Sequence, residues 1–205
     1  MDFIHKYMPS PTGVNDVTLL LLHGTGGNEE DLLPLGQFLF PDAALLGVRG
    51  KVLEGGMPRF FRRLAEGVFD EEDLILRTHE LARFVEEAVQ TYALNPKRII
   101  AVGYSNGANI AASLLFLEPT VLSAAVLLRA MVPLQPKVLP DLTDKRVLML
   151  SGRQDPLIPS HNTEKLADLF GQAGADVTLK WQDAGHGLTN PQIAIAQAWM
   201  QQFAL

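Results

Sequence analysis

Five short, almost unbroken apolar runs, each parted from the next by a segment of helical period, constrain this chain more than any other feature. They are Val17 to Leu22, Ala43 to Val48, Arg98 to Tyr104, Ser123 to Leu128 and Arg146 to Ser151. A strand with one wet face alternates apolar and polar residues, whereas a strand covered on both faces need not. These runs therefore read as buried parallel strands. Val177 to Trp181 reads as a further strand and Phe3 to Met8 as an edge strand. Between them, Asn28 is placed to cap a helix through about Leu39, with Glu29, Glu30 and Asp31 in the turn that favours acids. Leu74 to Leu94 carries the clearest stripe, Leu81, Val85, Ala88, Val89 and Tyr92, and Asn95-Pro96 ends it. Ser105 to Leu117, His161 to Ala173 and Pro191 to Phe203 complete the helices. Strands alternating with helices predict an α/β fold, a mainly parallel central sheet with helices on both faces.

No repeat, low-complexity tract or linker divides the 205 residues, so the expectation is one domain over 1–205. Apolar residues at 47% and charged residues at 20% exclude disorder. A net charge of −6 repels phosphate backbones and argues against a nucleic-acid partner. The chain has no cysteine, which removes disulfides, thiolate metal sites and a cysteine nucleophile together and fits a reducing compartment. The opening Met-Asp-Phe-Ile-His-Lys lacks the form of a signal peptide, and the apolar runs are too short to span a bilayer. The expectation is a cytoplasmic protein without membrane insertion. Homodimerisation is left open, because an exposed apolar rim would permit it and nothing in the sequence decides it.

The chemistry centres on Gly103-Tyr104-Ser105-Asn106-Gly107, a G-x-S-x-G directly after the strand RIIAV and directly before a helical run. A sharp strand-to-helix turn there strains the serine backbone, and the flanking glycines let strand and helix approach without Cβ clashes. The Ser105 hydroxyl then stands at the C-terminal edge of the sheet, over a helix N-terminus that faces developing negative charge. Serine needs a base to take its proton. Of the five histidines, His186, in Asp-Ala-Gly-His-Gly between the last strand and the last helix, emerges at the same edge. Its flanking glycines leave the ring free to swing over the serine. The base in turn needs an acid to hold its tautomer. Asp155 follows the strand RVLML and supplies it from the same edge; the rival is Asp183, three residues before His186 but at the end of its own strand. The oxyanion needs preorganised N–H groups. His23-Gly24-Thr25-Gly26-Gly27-Asn28, after an early strand, offers the N–H of Thr25, and Asn106 offers the second. His23 is read as a structural residue that fixes this turn through its ring nitrogens.

The segments LLLLHGTGGNEEDLLPL, GYSNGANIA, SGRQDPLIP and DAGHGL span nearly the whole chain. Through them the chain resembles the phospholipase/carboxylesterase group of α/β-hydrolases, which includes acyl-protein thioesterases and small bacterial carboxylesterases. The resemblance implies Ser105, Asp155 and His186 as triad and Thr25 and Asn106 as oxyanion donors. It also implies an aromatic loop beside the pocket, matched here by Gly56-Met57-Pro58-Arg59-Phe60-Phe61. Relatives often carry Trp, then Tyr or Phe, then Asp in that loop. Here Phe60-Phe61-Arg62-Arg63 departs from the pattern, so substrate preference does not carry over.

The interval Met131 to Lys145, with three prolines, is too short for a helical cap domain, and an open site is expected. Phe60, Phe61, Met131, Leu157 and Ile158 are candidate apolar walls, with core packing as the other reading of the Phe pair. Arg59 is placed to bind a carboxylate bidentately. The expected function is a serine carboxylesterase that hydrolyses small to medium carboxylic esters through an acyl-enzyme on Ser105. Its partner is a small-molecule ester, and the chemistry asks for no metal or organic cofactor. Acyl-thioesterase or lysophospholipase activity on the same triad is the alternative. A dinucleotide oxidoreductase fits poorly, because Glu29 stands where G-x-G-x-x-G needs its third glycine and its carboxylate would repel a pyrophosphate. A binding module that has lost its activity fits poorly too, since every catalytic position holds a competent residue.

Overall fold

A computed structural model describes residues 2–13 and 16–204. Its elements run β1 (His5–Met8), β2 (Thr18–Leu22), α1 (Leu33–Leu39), β3 (Ala44–Val48), then two hairpins, β4 (Val52–Glu54) with β5 (Met57–Arg59) and β6 (Arg63–Ala65) with β7 (Val68–Phe69). The chain continues through α2 (Glu71–Tyr92), β8 (Ile99–Tyr104), α3 (Asn106–Leu117), β9 (Ala124–Leu128), β10 (Arg146–Gly152), α4 (Ser160–Gln172), β11 (Asp176–Gln182) and α5 (Asn190–Met200). Seven strands form one sheet in the order β1-β3-β2-β8-β9-β10-β11. Among the described residues of that sheet, only the pair at one edge, β1 with β3, is antiparallel.

Residues along each central strand point alternately to the two faces, and both faces are dry. Leu20 and Leu22 of β2 join Ala101 of β8, Leu127 of β9 and the apolar sides of α2, α3 and α4. Leu19 and Leu21 join Val102, Leu128 and residues of α1 and α5. That two-sided burial is why the strands read as continuous apolar runs. The strand register also brings the strand ends level with one another. Leu22 pairs with Gly103, Tyr104 and Leu150 both pair with Leu128, and Gly152 pairs with Gln182. The loops after β2, β8, β9, β10 and β11 therefore leave along one edge of the sheet. Residues 131–145 form no helix.

The structure differs from the sequence reading most at the start of α1 and in one region. Asn28 does not cap a helix; its side chain accepts the Glu30 N–H at 2.7 Å within a run of turns. Helix α1 starts four residues later than expected, with Pro34 in its first turn. Proline has no N–H to return to Glu30, so a helix begun at Glu29 would lose a bond there. The hairpins β4–β5 and β6–β7 have no counterpart among the expected elements. They are two or three residues per strand, largely exposed, and too short to show a period of two. No helix among the described residues is long and apolar enough to cross a membrane.

Candidate active site

Strand β8 ends in a turn that the backbone must strain to make. Ser105 has φ 51° and ψ −111°, a region that non-glycine residues rarely enter. The turn is held from both sides: Ser105 N–H donates to Leu128 O at 2.8 Å, and Asn109 N–H donates to Ser105 O at 3.0 Å. A Cβ on Gly103 would lie 2.5 Å from Gly107 O, and one on Gly107 would lie 1.9 Å from Leu22 O. Any side chain at either position would part helix α3 from the strands beneath it.

Two other loops bring their side chains to this serine. His186 Nε2 lies 2.9 Å from Ser105 Oγ, and His186 Nδ1 lies 2.8 Å from Asp155 Oδ2. Asp155 Oδ1 accepts the N–H groups of Leu157 and Ile158 at 2.9 and 3.2 Å, which leaves Oδ2 directed at the ring. The Asp155 side chain is 2% exposed. Asp183, the rival acid, is 81% exposed and lies 3.8 Å from Arg153 on the surface. The structure thus brings Ser105, His186 and Asp155 into one chain of hydrogen bonds and leaves Asp183 outside it. In that chain, with Nδ1 carrying the ring proton, Nε2 is the free acceptor facing the serine hydroxyl.

Thr25 and Asn106 both line the cavity that contains Ser105. Asn106 opens α3, so its main-chain N–H has no partner within the helix. Among the described residues the Thr25 N–H also makes no hydrogen bond. His23 fixes the turn that carries Thr25: Nδ1 donates to Gly24 O at 2.6 Å and Nε2 accepts the Gly50 N–H at 3.0 Å. Burial pushes its pKa down, so the ring is held neutral, as that pair of bonds requires.

The cavity measures about 290 Å³ and is open to solvent. Arg59, Met131, Leu157 and Ile158 line it. Phe60 and Phe61 do not. They are 1% and 0% exposed and sit in the core, Phe60 against the His23 ring and Phe61 edge-on to Phe69. Phe69 lines the cavity instead, along with Arg63, Glu66 and Asn109. The β6–β7 hairpin that supplies Phe69, Arg63 and Glu66 carries no periodic signal. Arg59 is buried and committed: it donates to Thr25 Oγ1 at 2.7 Å and to Phe61 O at 3.2 Å, and it lies 3.5 Å from Glu54. Desolvation lowers its pKa.

Sequence reasoning also misses Arg129. It follows β9 directly, with φ 60° and a side chain 0% exposed. Its guanidinium donates to Gly185 O, His186 O and Gly187 O at 3.0, 3.1 and 2.5 Å, to Leu150 O at 3.1 Å and to Gln192 Oε1 at 2.8 Å. Asp155 Oδ2, 3.9 Å away, is the nearby counter-charge. The sequence does carry a signal: a single arginine inside the run Leu127-Leu128-Arg129-Ala130-Met131, all of it at the functional edge. A buried cation needs partners.

Comparison with known proteins places the chain among hydrolases. The model of the dienelactone hydrolase family matches residues 63–202. The chain is 54% identical over 190 residues to MhqD of Bacillus subtilis, a protein named for a candidate hydrolase activity, and the match covers 93% of this chain and 95% of that one. Among solved structures, a carboxylesterase of Bacillus cereus superposes with a TM-score of 0.95 at 48% identity, covering 98% of this chain and 95% of the other. A carboxylesterase of Mesorhizobium loti gives 0.89 at 30% identity, covering 97% and 94%. The fold is that of the α/β-hydrolases, and the protein is a hydrolase.

Proposed function

The chain belongs to the dienelactone hydrolase family, and on that premise we propose that it is a single-domain serine carboxylesterase acting on small to medium carboxylic esters through an acyl-enzyme on Ser105. The observation that carries the reading is the line of contacts Ser105 Oγ to His186 Nε2 at 2.9 Å and His186 Nδ1 to Asp155 Oδ2 at 2.8 Å, at the foot of an open cavity. Ser105 Oγ attacks the ester carbonyl while His186 Nε2 takes its proton, and Asp155 steadies the imidazolium that forms. The N–H groups of Thr25 and Asn106 receive the oxyanion. His186 then protonates the departing alcohol, and water deprotonated by the same nitrogen releases the acid and restores Ser105. The carboxylesterases of similar structure support the ester as substrate. The lack of cysteine supports a cytoplasmic site of action.

A second reading, an acyl-thioesterase or lysophospholipase, draws on an apolar residue of the cavity lining that is left exposed. Leu157 lines the cavity and is 43% exposed. A longer acyl chain would cover it.

Hydrolysis of p-nitrophenyl esters from acetate to palmitate, by wild type and by Ser105→Ala, separates these readings. The carboxylesterase predicts turnover that peaks at short to medium chains and falls roughly 10⁴-fold in the variant. A peak at palmitate moves the assignment to the second reading. Folded protein that turns over no ester, or a Ser105→Ala enzyme near wild-type rate, overturns both.

A further inference from the structure

The loop that bears His186 has little to hold it by its own backbone. Ala184 O accepts the Gln154 N–H at 3.1 Å, and Thr189 O accepts the Ile193 N–H at 3.1 Å. Between those anchors, ahead of Leu188, lie Gly185, His186 and Gly187. Among the described residues no main-chain N–H reaches the carbonyls of these three. Two glycines in three residues give that stretch more conformational freedom than any other residue type would. Yet His186 must meet Ser105 and Asp155 together, at 2.9 and 2.8 Å, where a few tenths of an ångström separate a hydrogen bond from none.

All three carbonyls are instead taken by Arg129. Nε is shared between Gly185 O and His186 O, and one terminal nitrogen donates to Gly187 O and to Gln192 Oε1. The other terminal nitrogen donates to Leu150 O, and the Arg129 main-chain N–H donates to that same oxygen at 3.0 Å, so the arginine is itself bolted to β10. Tyr104 adds a hydroxyl on His186 O at 3.1 Å. Gln192 continues the chain, donating to Ser151 O at 3.3 Å and accepting the Thr189 N–H at 3.3 Å. The fork therefore ties the base-bearing loop to the strand that precedes Asp155, beside the turn that carries Ser105.

We propose that Arg129 is a positioning residue for the base: its buried guanidinium fastens the Gly185-His186-Gly187 loop in the one place where His186 meets Ser105 and Asp155 at once. The inference rests on the reading of Ser105, His186 and Asp155 as a triad. Arg129 does not line the cavity. Its role needs the planar fork as well as the charge, since a lysine ammonium is a point donor that cannot span carbonyls on two sides. The left-handed backbone at residue 129 fits the same account. Strain of that kind persists where the surroundings over-determine the conformation, and here two bonds to Leu150 O do so.

The test compares wild type, Arg129→Lys, Gln192→Met and Ser105→Ala on a short p-nitrophenyl ester. Active sites are titrated with a fluorophosphonate, and the far-downfield proton resonance of the His186 Nδ1–H is recorded. Arg129→Lys should lose kcat per titrated site by on the order of 10²-fold, the scale of a misplacement of about 1 Å. KM should stay within about threefold, and the downfield resonance should broaden away. Gln192→Met, which keeps the arginine and removes one of its braces, should show the same pattern at several-fold. It carries the test if Arg129→Lys does not fold. Folded Arg129→Lys with wild-type kcat and an intact resonance overturns the inference, as does a loss confined to KM or to the titratable fraction. Ser105→Ala tells the failures apart. If it is inactive while the Arg129 result is negative, only this inference falls; if it turns over ester near the wild-type rate, the triad reading falls and takes the inference with it.

Discussion

On one side of the Ser105 cavity stand loops that leave the central sheet in register; on the other stand two hairpins that form small sheets of their own. The first side is dry and over-connected. Ser105 is pinned by main-chain bonds before and after it, the Asp155 carboxylate accepts from two N–H groups and the His186 ring, and the His186 loop hangs from Arg129. The second side is thin. Its residues Leu53, Met57, Leu64 and Val68 are exposed, and among its ties to the rest are the buried Arg59, Phe60 and Phe61, the Phe60 N–H on Asn106 Oδ1 at 2.7 Å, the Gly26 N–H on Pro58 O at 2.9 Å, and ion pairs such as Arg62 with Asp70. Reaction chemistry tolerates little movement and is built where the sheet allows little. On the function proposed above, substrate choice rests on a segment that lies outside the sheet.

The largest expected effect breaks the comparison on its rigid side. Asp155→Asn should lower kcat by about 10⁴-fold, because the amide no longer holds the base in the required tautomer. Asp183→Asn should stay within about twofold, the ordinary consequence of changing an exposed loop residue. The reverse result in steady-state kinetics would hand the acid role to Asp183. Next, Phe61→Ala should cost about 3–5 kcal/mol of stability, as truncation of a fully buried aromatic does, and leave the chain-length profile of the ester series unchanged. Phe69→Ala should give a smaller shift in thermal midpoint and a changed profile. If Phe61→Ala alters the profile and Phe69→Ala does not, the wall has been drawn with the wrong aromatic.

The smallest expected effect is on pH. His23 has a folded-state pKa below its unfolded value of 6.5, because burial disfavours the charged ring. The unfolded chain therefore binds a proton at a higher pH than the folded one does. The stability tied to the neutral ring is fully present above the unfolded pKa and is lost as pH falls through 6.5 towards the folded value. Denaturant unfolding at a series of pH values should show this decline. In His23→Asn it should be shallower, on a lower baseline.

The same division governs how far the sequence can be read. The strands are legible because burial on both faces leaves an unbroken apolar run, and β2, β3, β8, β9 and β10 each lie within one or two residues of where the runs put them. Helix α2 is legible in its stripe, though Asp70 rather than a later residue caps it, accepting the Asp73 N–H at 3.1 Å, and Ala93 in the left-handed conformation ends it before Asn95. Ser105, Asp155 and His186 can be set side by side because a parallel sheet sends its loops to one edge. The pocket wall cannot. Phe60 and Phe61 read as an aromatic loop, but which ring faces the cavity depends on how a hairpin of irregular register folds back, and no periodicity records that. Arg129 lies in plain sight, yet its partners are main-chain carbonyls 21 to 58 residues away and the side chain of Gln192, which a sequence does not display.

If Ser105 is the nucleophile, as proposed, the site of covalent labelling will reveal it. Folded wild-type protein would be treated with a fluorophosphonate, digested and mapped by mass spectrometry. One adduct is expected, on the peptide that contains Ser105, together with loss of ester hydrolysis in step with labelling. An adduct on any other residue that accompanies inactivation, or an active enzyme that takes up no label, would contradict it.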